Sequence, residues 1–240
     1  MAEGILSANG LVKRFDGLAA VDGVDFSLKM GEIRALIGPN GAGKTTLINL
    51  LAGQLPPDSG VIYLMGRDIT RWPAHRRARA GLARTFQIGS LFPNLSVRRH
   101  IEAALAGGRL KLRRSKALEG AMVEILKLCR LEGKQDLKAR ELSHGDLRLL
   151  ELGIALASRP KVLLLDEPTA GLSPAETGEL IELISQLKGM AILIVEHDME
   201  VVFRLAQVIT VMHRGKVIAE GAPQGIERDP KVQEVYLGGV

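Results

Sequence analysis

One segment constrains this chain more than any other: Gly38-Pro39-Asn40-Gly41-Ala42-Gly43-Lys44-Thr45. It follows Ile33-Arg34-Ala35-Leu36-Ile37, a mostly apolar run of the buried-strand kind, and precedes Thr45 to Ala52, where the apolar spacing is helical. Strand, glycine-rich loop and helix in that order complete the pattern G-x-x-x-x-G-K-[ST]. The glycines let the backbone curl so that successive N–H groups converge on phosphate oxygens. The helix adds the positive end of its dipole. Lys44 is expected to reach the β- and γ-phosphates, and the Thr45 hydroxyl to ligate Mg²⁺. A glycine-rich turn with a surface lysine explains the loop alone, but not the strand and helix around it. Gly38, Asn40, Gly41, Gly43, Lys44, Thr45 and Thr46 are therefore the expected phosphate-binding residues of a nucleoside triphosphate site.

The rest of the chain has to build a fold around that loop. With 46% apolar and 25% charged residues over 240 positions, it has enough core for a globular domain and is not a disordered, collagen-like or disulfide-stapled chain. Cys129 is the single cysteine and cannot form an internal disulfide, which fits a reducing compartment. The longest apolar stretches, such as Met190 to Val195, fall far short of the roughly 18 residues a membrane span needs. The opening Met-Ala-Glu-Gly does not read as a signal peptide.

Short alternating runs, Leu11 to Phe15 and Val24 to Leu28, are set apart by Gly17 and Gly23, and Gly60 to Met65 returns to strand. Residues 97 to 140 read as helices with loose turns. From Ser143 the pattern is helix, strand (Val162 to Leu165), helix (174–188), strand (Ala191 to Val195), then a hairpin from Val208 to Ala219 turning at Arg214-Gly215. Ser173, Pro174 and Glu176 sign the start of the helix at 174 as N-cap, first helical residue and capping-box partner. Strands alternating with helices imply an α/β fold whose mostly parallel sheet is covered on both faces. The expected arrangement is one domain over 1–240: a P-loop NTPase core and N-terminal antiparallel β subdomain from 1–87 and 151–240, with a helical lobe inserted at 88–150.

Two apolar strands end in charge. Val162 to Leu165 delivers Asp166-Glu167-Pro168, and Ile192 to Val195 delivers Glu196-His197-Asp198. Carboxylates directly after an apolar strand are costly to bury unpaired, but are well placed at the carboxyl ends of parallel strands, where α/β folds bind ligands. Asp166 is expected to hold Mg²⁺ through water, Glu167 to act as general base on the attacking water, and His197 to donate to a γ-phosphate oxygen. Taken alone, Glu167 reads equally well as a solvated acid at a loop start.

Leu142-Ser143-His144-Gly145-Asp146 narrows the class. Its spacing is fully explained by Ser143 and Asp146 as a capping box. Yet it closes the helical block 23 positions before Asp166 and reads L-S-x-G. With the phosphate loop and Asp166-Glu167-Pro168-Thr169, the chain resembles the ATP-binding subunit of ABC transporters along essentially its whole length. Arg84-Thr85-Phe86-Gln87, Ala170-Gly171-Leu172-Ser173-Pro174, Val195 to Met199 and the closing run from Asp229 to Gly238 are most similar to the importer ATPases for branched-chain and other hydrophobic amino acids, whose relatives carry amides and urea. The closing run is shared with lipopolysaccharide-export ATPases.

The resemblance implies an ATPase with ATP and Mg²⁺ as cofactors, Phe15 stacking on adenine, and Gln87 sensing the metal and the membrane partner. It also implies that two subunits, identical or paralogous, pair head to tail. Ser143 and the Gly145 N–H of one then contact the γ-phosphate held by the other. The partners are transmembrane permease subunits and, indirectly, a substrate-binding protein, which places the chain in the cytoplasm on the inner face of the membrane. Three departures stand out: His144 and Asp146 in place of Gly and Gln, Ser173 in place of Asp, and a short helical lobe. Asp146 suits the helix dipole but adds negative charge near phosphate, so weaker ATP-dependent pairing with retained activity is expected.

The net charge of +5 gathers in part at Arg71, Arg76, Arg77, Arg79 and Arg84. Nucleic acid would explain such a run, but only Trp72 interleaves with it, so there is no stacking platform. A solvated strip facing an anionic membrane is the expectation, with no nucleic acid partner. An exporter of lipid or lipopolysaccharide, a nucleic-acid-associated ATPase and a nucleotide-binding regulator without turnover are the alternatives.

Overall fold

The computed structural model describes residues 4–85, 91–107 and 116–237. Among these, the strand run Ile33–Ile37 (β3) sits at the centre of a sheet, as its apolar character requires. The sheet order is β10 (Lys216–Gly221), β9 (Val208–His213), β3, β8 (Ala191–Val195), β7 (Val162–Asp166), β6 (Leu82–Arg84). All neighbours pair in parallel except β10 on β9. The last pair is the expected hairpin, its turn made by Arg214 and Gly215 at φ 47° and 79°, the geometry a tight two-residue hairpin needs.

A second, antiparallel sheet of order β2 (Leu18–Leu28), β1 (Leu6–Phe15), β4 (Ser59–Leu64), β5 (Arg67–Asp68) precedes and flanks it. Its strands are longer than the sequence pattern indicates. Gly23 does not break β2: Leu11 pairs with Val24 and Val12 with Asp22, leaving Gly23 as a bulge at φ 68°.

Helices α1 (Lys44–Ala52), α2 (Ala74–Arg79), α3 (Val97–Gly107), α4 (Lys116–Leu128), α5 (His144–Ala157), α6 (Pro174–Gln186), α7 (Met199–Leu205), α8 (Pro223–Glu227) and α9 (Pro230–Leu237) cover the central sheet or pack beside it. One core cluster joins the antiparallel sheet and α1 to one face, through Leu28, Leu47, Leu51, Leu164 and Val195. Another joins the helices of residues 97–157 and α6 to the opposite face, through Ile101, Leu150, Leu163, Ile184 and Ile194. The lobe edge expected at residue 150 falls inside α5, which packs on α3, α4 and α6.

The basic segment is not simply a solvated strip. Arg71, Arg76 and Arg79 are exposed, with Arg76 stacked over Trp72 at 4.1 Å. Arg77, however, is only 1% exposed. Its guanidinium donates to the carbonyls of Leu50 and Leu51 at 2.7 and 2.8 Å, and to those of Thr70 and Trp72 at 3.0 and 2.9 Å. It therefore caps the carboxyl end of α1, where terminal carbonyls and the dipole favour a cation. Burial pushes this guanidinium down to about 10.

Candidate nucleotide site

β3 hands the chain directly to the phosphate loop. Gly38, Gly41 and Gly43 adopt φ of 151°, 78° and 102°, and two of them have no space for a side chain. A Cβ at Gly38 would lie 2.2 Å from the Met212 carbonyl oxygen, and one at Gly43 would lie 2.2 Å from that of Ala20. α1 then starts at Lys44 with no side-chain cap and no acid in its first turn. Its leading N–H groups and dipole suit an anion. Asn40 and Gly41 stand exposed at the loop tip, with Thr45 exposed and Thr46 half-buried on the first turn of α1. The buried Lys44 spans the loop, Nζ donating to the carbonyls of Gly38 at 2.7 Å and Pro39 at 3.0 Å. Burial pushes its ammonium below the ordinary lysine range, against the pull of Glu167 and Asp166.

The charged strand ends lie on the same side of the sheet. Register pairs Asp166 with Val195 across β7 and β8, so the residues following each strand meet. His197 Nε2 lies 2.9 Å from Glu167 Oε1. Glu167 is a non-glycine residue at φ 46°, a strained conformation of the kind that collects at active sites. Its N–H donates to the Val195 carbonyl at 2.9 Å. Asp166 Oδ2 accepts from Arg84 Nη2 at 2.8 Å. Arg84 also donates to Asn49 of α1 and to Gln54, tying the loop-bearing helix to the acidic strand. Sequence reasoning placed Arg84 in the solvated basic strip, whereas its side chain is largely buried against Asp166. The Thr45 hydroxyl and Asp166 carboxylate are hard oxygen donors of the kind Mg²⁺ takes alongside water and phosphate. Gln87 lies outside the described residues. Phe15 ends β1 with 45% of its surface exposed, on the hairpin whose Ala20 closes against Gly43.

Ser143 caps the amino end of α5, with Gly145 in its first turn. They line a cavity of about 200 Å³ with Lys134, Asp146, Leu172 and Glu176. Ser143 Oγ accepts from the Asp146 N–H at 3.1 Å, but the capping box is only half made. The Asp146 carboxylate instead takes both its bonds from Lys134 Nζ, each 2.7 Å, so its charge is balanced within the chain. The Gly145 N–H donates to Glu176 Oε1 at 3.1 Å, and a Cβ there would lie 2.6 Å from that oxygen. Glu176 Oε2 completes the box on α6, accepting from the Ser173 N–H at 2.9 Å and its hydroxyl at 2.8 Å. Those bonds from Ser173, with the one from Gly145, hold the Glu176 carboxyl below the usual range.

This geometry agrees with comparison to known proteins. A family profile described as ABC transporter matches residues 21–170. The chain belongs to the ABC transporter family. A second profile, described as branched-chain amino acid ATP-binding cassette transporter, matches residues 216–240. The chain is 41% identical to the high-affinity branched-chain amino acid transport ATP-binding protein LivG of Escherichia coli K12, over 99% of both chains. It is 38% identical, at the same coverage, to the BraF protein of that description from Pseudomonas aeruginosa. Among solved structures, an ATP-binding cassette of an ABC transporter in its ADP conformation superposes with a TM-score of 0.85 at 32% identity, covering 97% of this chain and 98% of that one. An ABC ATPase fold, with an antiparallel β subdomain on a P-loop core, is thus what the sequence folds into. No helix of the described residues is long and apolar enough to cross a membrane.

Proposed function

We propose that this ABC ATPase powers import of branched-chain amino acids through separate permease subunits, working on the cytoplasmic face of the membrane beside a second ATPase subunit. The observation behind the chemistry is convergence: Lys44, Asp166 and Glu167 interact electrostatically, and Glu167 is bonded to His197. The cargo reading is supported by end-to-end similarity to LivG and BraF and by the match at residues 216–240.

In this reading the phosphates of ATP lie against the N–H groups of Gly41, Gly43, Lys44, Thr45 and Thr46, with Gly38 and Asn40 shaping the loop and Phe15 against adenine. Lys44 exchanges its carbonyl partners for phosphate oxygens. Glu167 accepts the proton of the attacking water, while His197 orients that carboxylate and donates to a γ-phosphate oxygen. Thr45, Asp166 through water and Gln87 would hold Mg²⁺, which when bound would supply positive charge against the phosphoryl oxygens. Ser143 and Gly145 complete the site of the second subunit.

Uptake of labelled leucine, isoleucine and valine by cells carrying the wild-type chain or Glu167→Gln tests this reading. The variant should bind ATP, pair in its presence and abolish uptake. Unchanged uptake together with altered lipid or lipopolysaccharide export would turn the assignment to an exporter.

A further inference from the structure

Among the buried carboxylates that the roles assigned above leave unused, one adjoins the site. Glu196 directly follows β8 and is only 4% exposed. Its Oε1 accepts from the Thr169 N–H at 3.0 Å and from the Thr169 hydroxyl at 2.7 Å. Its Oε2 accepts from the His197 N–H at 3.2 Å. Among the described residues, no cation forms an ion pair with it. A buried carboxylate sustained by neutral donors alone is expensive, and a packing role here could be filled by an apolar side chain.

Its three bonds fall on the two loops that bring Glu167 and His197 together. Thr169 lies two residues beyond Glu167, with Pro168 stiffening the step between them. His197 is the next residue along the chain. Glu196 thus grips both loops at once, behind the 2.9 Å contact between the Glu167 carboxylate and the His197 ring. We propose that Glu196 is a positioning residue for ATP hydrolysis, fixing the Glu167 and His197 loops against each other through Thr169. The inference rests on the roles given to Glu167 and His197 under the proposed function.

The test is steady-state ATPase kinetics of the full chain, with affinity for a fluorescent ATP analogue and unfolding midpoint measured on each variant. Thr169→Val keeps shape and the backbone bond but loses the hydroxyl. It should lower kcat about tenfold with KM and nucleotide affinity within about twofold, because small misplacement of reacting groups is costly while binding is untouched. Thr169→Ser, which restores the hydroxyl, should recover most of that loss. In Glu196→Gln the amide oxygen can still serve Thr169 while the NH₂ faces the His197 N–H, so kcat should fall with affinity retained. Loss of turnover in Glu167→Gln and His197→Ala, beside wild-type kcat in Thr169→Val and Glu196→Gln, overturns the inference but not the site. Equal losses in kcat and affinity, not recovered by Thr169→Ser, also overturn it, since that pattern belongs to general disruption. Retained turnover in Glu167→Gln and His197→Ala overturns the reading on which it rests.

Discussion

His197 Nε2 lies 2.9 Å from Glu167 Oε1, a contact between residues 30 positions apart that neighbouring parallel strands bring together. Glu167 needs this hold because it is half-buried at a loop start and would otherwise sample several rotamers. His197→Ala should therefore lower kcat by roughly a hundredfold, the scale of a misplaced general base, while KM for ATP moves little. Steady-state ATPase rates over a range of ATP concentrations check this. A fall confined to nucleotide affinity would assign His197 to binding instead.

Arg84 makes a testable link between the phosphate-loop helix and the acidic strand. Its side chain and that of Asp166 are 13% and 12% exposed, so removing the guanidinium leaves a largely buried carboxylate without its ion partner. Arg84→Ala should lower stability by about 3 kcal/mol, the usual scale for breaking such a pair from one side. Arg84→Lys retains the charge but not the fork that reaches Asn49, Gln54 and Asp166 together, and should fall between. Urea unfolding of both variants reads the effect. If Arg84→Lys matches the wild type, charge alone is what matters there.

What the sequence made legible was local. The phosphate loop could be read because strand, glycines and helix adjoin, and Ser173-Pro174-x-Glu176 because a cap closes within one turn. The buried strands were visible as apolar runs, with acids at their ends. Contacts made by side chains across the fold were not visible. Glu176 meets Gly145 at a separation of 31 residues, Arg84 meets Asp166 at 82 and Glu196 meets Thr169 at 27, and no periodicity encodes such pairings. Asp146 shows how local pattern can mislead. Its spacing from Ser143 fits a capping box, yet Lys134 offers a full charge to the carboxylate and takes it. Arg77 likewise looked like one cation in an exposed run until α1 supplied it with carbonyls.

That burial gives a prediction for Arg77. Four carbonyl oxygens share its donors, those of Leu50 and Leu51 at the end of α1 and those of Thr70 and Trp72 beside it, and Arg77→Met would take this donor from all four, leaving Leu50 the Gly53 N–H. A loss of about 3 kcal/mol is expected from orphaned buried acceptors. Arg77→Lys keeps the favourable charge but has fewer donors and should recover only part. Because α1 opens at the phosphate loop, nucleotide affinity should weaken in the same order as stability. Thermal unfolding with and without ATP compares the two, and undiminished stability in Arg77→Met would remove the capping role.

Glu151 gives a pH dependence whose sign follows from its surroundings. The side chain is 4% exposed and accepts from Arg148 Nη1 at 3.0 Å. Among the described residues, its Oε1 and the Arg148 Nε have no partner. Burial pushes the Glu151 carboxyl above its ordinary value of 4.5, and the Arg148 bond only partly offsets this. As pH rises above 4.5, the unfolded chain has released this proton while the folded one still holds it. Stability therefore falls with rising pH until the folded-state pKa is passed, and is flat beyond it. Glu151→Gln cannot ionise and removes that slope. Within the window the folded wild type is already neutral at this position, so the substitution removes no anion from Arg148 there. The stability of Glu151→Gln relative to wild type should thus be lowest near the ordinary glutamate pKa and improve toward neutral pH. Urea unfolding of both proteins at a series of pH values measures the difference. Parallel curves would mean that Glu151 titrates alike in both states, and that Arg148 fully compensates its burial.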